Sequence, residues 1–476
     1  MANIPDDVFF ATAGELNARL KAKEFSAVEL TRAFCDRLEK HGARFNALAL
    51  TLREPAMRKA KDVDNDLKRE RFRGRLQGVP FGVKDLLSVA GHPTTWGAKP
   101  YAGQAFDYDA NVVRRLNNAG AILVGKLAMI ELAGGGGYRY AAASLTGPGL
   151  NPWDRTRWSG GSSSGSGSAV AAGLVIFALG SETNGSIVTP SAFCGVTGLR
   201  PTYGLVSRHG AMALSWTMDK IGPMCRSAED CGLVLEAIAG KDPADPSSAG
   251  KAFYYAPQFA RKFTELRLGY AAVDFDERPD PPAREAFRQA LEAIRGFGFQ
   301  TKEVALPDLP YSAMTRTIIS AEGSAVFEEL IASGRVDELA DARQIAGLKA
   351  GLEIPAKDYL RAMRVRSQVQ EAFRRLFVDV DVLIVPARSG PASRIGDRLD
   401  ASPPGDSQPK SAGLSDLVSA GNLAGLPALV LPCGFADGMP VAVLLVGRPF
   451  TENTLLATGK QYQSVTDWHR RRPKVP

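Results

Sequence analysis

Two stretches near the start of the chain carry apolar residues at helical spacing. Thr12 precedes Glu15 and Ser26 precedes Glu29 at the spacing of a capping box, which marks the start of a helix. After the second pair, apolar side chains recur at every fourth position, as on the buried face of a helix. The pattern predicts two helices, of which the second ends at Gly42.

Strand-like alternation begins at residues 79–87. Val79, Phe81 and Val83 fall on one face of this segment, and Lys84 falls on the other. Pro80 and Gly82, which share the face of Lys84, are small. The alternation predicts a β-strand that carries a lysine in an otherwise apolar run.

Glycine, serine and alanine dominate residues 134–167, with four consecutive glycines at 134–137. This composition is typical of a loop. The apolar, alanine-rich residues 168–179 follow and predict a buried helix. Because the stretch is about half of the ~20 residues that a membrane-spanning helix needs, we expect no membrane partner.

The second half of the chain alternates between strand-like and helical patterns. The strand-like runs lie near residues 266, 299, 381, 426 and 439. Helical patterns stand out at residues 282–296, 312–333 and 358–377. Such alternation predicts the α/β class, built on a mixed sheet.

Residues 390–413 are rich in proline, glycine, serine and aspartate, which is typical of a surface loop, a lid or disorder. We find no internal repeat and no linker that divides the chain. We therefore expect one domain over residues 1–476. It would comprise a helical part over about 1–70, a core over about 75–235 and a further α/β part over about 250–476.

Composition excludes several classes of protein. The chain is 45% hydrophobic and 23% charged, which is ordinary for a globular protein. Its 58 cationic and 51 anionic side chains leave a weak field for this length, so we expect no nucleic-acid partner. Asp6 and Asp7 precede any apolar stretch, so no secretion signal is predicted. Five cysteines without C-x-x-C spacing predict reduced thiols in the cytoplasm and no metal site.

A first candidate for nucleophilic catalysis runs from Gly161 to Gly165 and fits the motif G-x-S-x-G. That motif needs an apolar strand before its serine, but residues 152–158 are polar and contain proline. It also needs a histidine after the serine, and only His209 and His469 follow. The context therefore argues against an α/β-hydrolase.

Because histidine is scarce, the base for a serine nucleophile would have to be another residue, such as a lysine. A lysine accepts a proton only when it is neutral, and burial can lower its pKa to about 7–8. Lys84 fits this role through its place in the strand-like segment. The alternative is a surface lysine at a strand end.

Several segments in register resemble the amidase signature family of serine hydrolases. They are residues 78–85, 160–173, 179–187, 195–204, 425–427 and 450–452. The resemblance covers nearly the whole chain and implies a single large fold. In that fold, α-helices cover both faces of a central mixed β-sheet.

Carried over by position, the resemblance implies three catalytic residues. Ser186 falls on the nucleophile, Lys84 on the base, and Ser162 on a bridging serine that follows a cis peptide bond. The oxyanion hole would consist of the backbone N–H groups of Thr183, Asn184, Gly185 and Ser186. The implied chemistry is amide hydrolysis through an acyl-enzyme on Ser186, without a cofactor.

Departures from the family pattern bear on the substrate. Val188 stands where many members carry arginine, and Ala442 and Leu444 stand where many carry glycine and glutamine. The substrate-binding residues are expected to be Gly135, Gly136, Gly137 and Tyr138. With no extra cation expected there, we predict a neutral small-molecule substrate, an aryl or alkyl amide. Hydrolysis of carbamates and esters would be a side activity. The enzyme would be a monomer or a homodimer.

Two other functions remain as alternatives. The first is the glutaminase subunit of a tRNA-dependent amidotransferase, a relative that has the same three catalytic residues and works only inside a complex. The arginine-rich, tyrosine-containing run of such subunits has only a distant echo here, at residues 359–366. The second is a non-catalytic binding protein, which is disfavoured because all three catalytic positions are filled.

Overall fold

A single mixed β-sheet runs through the computed structural model, which describes residues 4–400 and 413–475. Within those ranges its strands are β1 (Leu48–Thr51), β2 (Pro80–Lys84), β3 (Ile122–Leu127), β4 (Phe177–Glu182), β5 (Thr197–Arg200), β6 (Lys220–Cys225), β7 (Arg267–Tyr270), β8 (Gln300–Glu303), β9 (Val382–Pro386), β10 (Ala428–Ala436) and β11 (Met439–Gly447). Their order across the sheet is β1-β3-β2-β4-β6-β5-β10-β11-β9-β7-β8. The sheet is mixed, because β2 is parallel to β3 and β4 whereas β4 is antiparallel to β6.

Helices connect most of these strands. In the described part of the chain they are α1 (Ala13–Lys21), α2 (Ala27–Gly42), α3 (Arg53–Lys68), α4 (Asn111–Asn118), α5 (Ser164–Ala171), α6 (Val188–Cys194), α7 (Ala228–Ile238), α8 (Val273–Asp276), α9 (Arg284–Arg295), α10 (Tyr311–Val326), α11 (Glu328–Ala332), α12 (Ala342–Gly351), α13 (Ala356–Asp379), α14 (Leu417–Ala424) and α15 (Glu452–Val465). None of them is long and apolar enough to cross a membrane.

Both faces of the sheet are buried at its centre, whereas the edge strand β8 is exposed. Successive residues of a strand point to opposite faces, and in β10 Leu429 and Leu431 pack into one hydrophobic cluster. Their neighbours Ala428 and Val430 pack into a second cluster. The α/β class and the sheet covered on both faces, as the sequence predicts, are therefore confirmed.

The two predicted capping boxes are present at the starts of α1 and α2, and α2 ends at Gly42 as expected. The predicted helix at 168–179 is partly wrong. Helix α5 ends at Ala171, Gly173 adopts a left-handed φ of +65°, and the chain then enters β4. The predicted helix at 312–333 divides into α10 and α11. Of the predicted loop at 390–413, residues 401–412 lie outside the described residues.

The pairing of β2 with β4 positions the candidate site. The two strands run parallel, with Val83 opposite Leu179, so their last residues lie at the same edge of the sheet. Lys84 ends β2, and Glu182 ends β4 directly before residues 183–186. The fold thus brings the lysine and the serine-bearing turn to one place.

Candidate active site

Lys84 is fully buried at the end of β2. Its Nζ donates hydrogen bonds to Ser162 Oγ at 2.6 Å and to Ser181 Oγ at 2.9 Å. Burial lowers the pKa of Lys84 to about 7, although the charges of Asp219 and Glu182 oppose the change. A substantial share of Lys84 is therefore neutral near pH 7 and able to accept a proton.

Ser162 lies two residues before the start of α5, and the peptide bond between Gly161 and Ser162 is cis, as the resemblance implies. Ser163 links this segment to Ser186, because the Ser163 amide donates a hydrogen bond to the Ser186 carbonyl at 3.3 Å. Among the described residues, no hydrogen bond joins the hydroxyls of Ser162 and Ser186. A catalytic hydrogen bond often tightens only when substrate binds.

Residues 183–186, which we call the nucleophile turn, connect β4 to α6. Gly185 adopts a φ of +85°, a left-handed conformation that glycine accepts without steric cost. Within the parts of the chain that the structure describes, none of the four backbone N–H groups of the turn has an acceptor. Ser186 is 9% exposed. The free amides beside this hydroxyl are suited to bind a developing oxyanion.

Glu182 anchors the α6 end of the nucleophile turn through hydrogen bonds. One carboxylate oxygen accepts hydrogen bonds from the Ile187 and Val188 amides at 2.8 and 2.9 Å. The other accepts from the buried Arg200 guanidinium and from Asn422, each at 2.8 Å. Burial alone would raise the pKa of Glu182, but the Arg200 charge and these hydrogen bonds lower it to about 2. The carboxylate is therefore ionised at neutral pH.

The β4 end of the turn, at Thr183, is also anchored by hydrogen bonds. Thr183 Oγ1 donates to Asp219 at 2.6 Å, and the same carboxylate accepts from the Leu214 and Ser215 amides at 2.8 and 2.9 Å. Carboxylates thus fix the turn at both ends, the buried Glu182 on one side and the half-buried Asp219 on the other. Fixed amides are what an oxyanion hole requires, because they need no reorganisation during the reaction.

A cavity of about 660 Å³ opens in front of Ser186. Of the expected substrate-binding residues, Gly136, Gly137 and Tyr138 line it. Gly135 instead packs against Leu214, whose Cδ1 would lie 2.9 Å from a Cβ at that position. The structure thus brings Lys84, Ser162, Ser186 and most of the glycine loop together, and their functional roles stay a prediction.

The cavity also contains residues that the sequence pattern does not reveal. Its described lining includes no acidic side chain, and it includes four arginines: Arg316, Arg343, Arg388 and Arg398. The expectation of a site without an extra cation is therefore wrong. Arg388 contacts Thr189, which lies 199 positions earlier in the chain. The only local signal is its place two residues after the apolar strand β9.

Residues 359–366, which distantly resemble the arginine-rich run of amidotransferase subunits, lie in α13. They are not part of the described lining of this cavity. Arg366 is buried and donates to the Leu423 and Thr217 carbonyls at 2.9 and 2.6 Å. Tyr359 donates to Glu322 at 2.8 Å. These side chains hold helices and loops together.

Comparisons with known proteins add to this geometry. The family model for amidases matches residues 29–456. A glutamyl-tRNA(Gln) amidotransferase subunit from Chloroflexus aggregans is 37% identical, over 98% of this chain and 99% of its own length. A solved structure from a vestigial complex, described as revealing the origins of an s-triazine catabolic enzyme, is 30% identical with a TM-score of 0.86. That comparison covers 98% of this chain and 100% of the other. The peptide amidase of Stenotrophomonas maltophilia is 32% identical with a TM-score of 0.81, over 97% and 98% of the two chains.

These relatives correct two expectations. Curated relatives at 34–37% identity are named as glutamyl-tRNA(Gln) amidotransferase subunits, which contradicts an independent amidase for neutral aryl or alkyl amides. The same name contradicts the expected partners. The expectation was a small-molecule amide substrate, no nucleic-acid partner, and a monomer or homodimer. The family resemblance is confirmed. The chain belongs to the amidase family and is an enzyme that hydrolyses amide C–N bonds.

Proposed function

We propose that the chain is the glutaminase subunit of a tRNA-dependent amidotransferase. It would hydrolyse the side-chain amide of glutamine and release ammonia, which the other subunits would use on a tRNA-bound amino acid. The observation that carries this proposal is the 37% identity to the amidotransferase subunit from Chloroflexus aggregans over nearly the full length of both chains.

The contacts of Lys84 support its role as the base. Its Nζ lies 2.6 Å from Ser162 Oγ, and burial lowers its pKa to about 7. In the neutral form, Nζ accepts the Ser162 proton while Ser162 accepts the proton of Ser186. The relay leaves Ser186 Oγ as the nucleophile and Lys84 as an ammonium.

The free amides of the nucleophile turn support the next step. Ser186 Oγ forms a bond to the amide carbon of glutamine, and the carbonyl oxygen becomes an oxyanion that the N–H groups of residues 183–186 stabilise. The C–N bond then breaks. Lys84 returns its proton through Ser162 to the leaving nitrogen, which departs as ammonia and leaves a γ-glutamyl ester on Ser186.

Hydrolysis of the ester completes the cycle. Water gives one proton to the relay and attacks the ester carbon, and the bond to Ser186 Oγ breaks as that oxygen regains a proton. The products are glutamate and free enzyme. Because each step uses the same three side chains, substitution of any one of them would impair both halves of the reaction.

The missing arginine at position 188 is compatible with this proposal. Val188 is buried at the start of α6, and its amide holds Glu182. It is not part of the described lining of the cavity, whereas Arg388 is. The charge of the cavity is therefore set by residues other than the one at position 188.

The test is a ranking of substrates by kcat/KM. The purified chain, alone and with the other subunits of the amidotransferase, is given glutamine, a neutral primary amide, a nitroanilide and an aryl carbamate. The proposal requires the highest kcat/KM for glutamine, with ammonia as product. A higher value for the nitroanilide or the carbamate under both conditions would contradict it.

A further inference from the structure

Arg388 is a cation in the lining of the cavity that holds Ser186, and the charge of Glu182 acts on it without an ion pair between the two side chains. One Nη donates to the Thr189 hydroxyl, and Nε is buried without a hydrogen-bond partner. None of the ion pairs between described residues includes Arg388. Arg388 is half-buried, and a guanidinium stays charged in proteins, so partial burial of an unpaired one carries a cost in free energy that an anion would lower.

The position of Arg388 places this charge beside the reacting group. A Cβ on Gly185 would lie 2.6 Å from an Arg388 Nη, so the guanidinium lies against the nucleophile turn. Both residues that it contacts on this side, Gly185 and Thr189, flank Ser186 in sequence. Tyr138 lies close enough for the Arg388 charge to oppose the rise that burial causes in the pKa of its hydroxyl.

The other arginines of the cavity differ from Arg388. Arg398 already pairs with Asp400 at 3.0 Å. Arg316 and Arg343 are exposed, so water solvates them. Arg388, by contrast, is half-buried, and its Nε has no hydrogen-bond partner among the described residues. A planar guanidinium with free N–H groups matches a carboxylate in a bidentate geometry.

We propose that Arg388 is a specificity-determining residue that binds a carboxylate on the acyl part of the substrate while Ser186 attacks the amide carbon. The substrate class is therefore an amide whose acyl group carries a carboxylate. This inference rests on the proposed function, since glutamine belongs to that class, but it applies equally to such amides without an ammonium group.

The test compares glutaramate with its methyl ester, which has no negative charge on the acyl group. Ammonia release gives kcat/KM for each. The wild-type enzyme should prefer glutaramate by about 100-fold, the value of charge-assisted hydrogen bonds to a carboxylate. In Arg388→Met the preference should fall to a few-fold, mainly through a higher KM for glutaramate.

Arg398→Met is the matched control, because it removes a cation of the same cavity that already has a partner; it should keep the wild-type preference. Equal losses on both substrates in Arg388→Met would overturn the inference and leave Arg388 a role in holding the turn. If that variant does not fold, the wild-type preference still decides, since a ratio near one contradicts carboxylate binding. Cleavage of glutaramate but not of glutamine would reject the proposed function and keep the role of Arg388.

Discussion

Replacing Glu182 by glutamine tests whether the buried carboxylate holds the nucleophile turn. The pKa of Glu182 falls from an ordinary 4.5 to about 2 in the fold, because Arg200 and the surrounding donors outweigh burial. One pKa unit corresponds to about 1.4 kcal/mol, so ionised Glu182 contributes about 3 kcal/mol to stability. Because the folded-state pKa is lowered, this contribution is complete above about pH 4.5 and is lost as the pH falls towards 2.

Glu182→Gln removes that charge and leaves the buried Arg200 without its counter-ion. We expect the free energy of unfolding in urea at pH 7 to fall by about 3 kcal/mol. The amide nitrogen of glutamine cannot accept from the Ile187 or Val188 amide, so kcat should fall as well. Glu371→Gln is the control, since Glu371 pairs with exposed arginines and its loss should cost about 0–1 kcal/mol. A loss below about 1 kcal/mol for Glu182→Gln, with unchanged kcat, would refute the reasoning.

The remaining predictions concern the base, the bridging serine and the glycine loop. Activity should rise with pH through about 7, where Lys84 loses its proton, and a flat profile across the neutral range would contradict its role as base. Lys84→Arg should be as inactive as Lys84→Ala in steady-state kinetics, because a guanidinium does not deprotonate. Ser162→Ala should lower kcat by orders of magnitude with the fold retained by circular dichroism; near-normal kcat would show that no relay is needed. Gly136→Ala should lower kcat/KM and stability, because its φ is +80° and its Cβ would lie 2.4 Å from the Gln344 carbonyl oxygen; a variant with wild-type values would contradict this.

Local patterns in the sequence predict local structure well. The capping boxes at Thr12 and Ser26 depend on residues three positions apart, and both are present. The strand predicted at 79–87 corresponds to β2 and ends at Lys84. In each case the signal is local, a capping pair three residues apart or an alternation over a few residues, so the sequence contains it directly.

The buried run after α5 shows the limit of such patterns. Residues 169–179 carry no polar side chain, and a fully buried helix and a fully buried strand share that composition. The boundary depends on Gly173, which ends the helical segment with a left-handed φ, and on pairing of β4 with β2 and β6. Strand pairing is a long-range property that this composition does not encode.

The charge of the cavity was missed for a similar reason. Val188, Ala442 and Leu444 led to the expectation of a site without an extra cation, because the family pattern often has polar or charged residues at those positions. The cation next to the nucleophile turn is Arg388, which approaches Thr189 only through the tertiary fold. A substrate prediction from departures from the family pattern therefore omitted the arginines that line the cavity.

The most direct test of the account is to look for the acyl-enzyme itself. Wild-type protein is mixed with glutamine, quenched in acid within its first turnovers, digested and analysed by mass spectrometry. We expect one γ-glutamyl group on the peptide that contains Ser186, and no such group in Ser186→Ala, which should also release no ammonia. Ammonia release from glutamine by Ser186→Ala at the wild-type rate, or a γ-glutamyl group on another residue, would contradict the central claim.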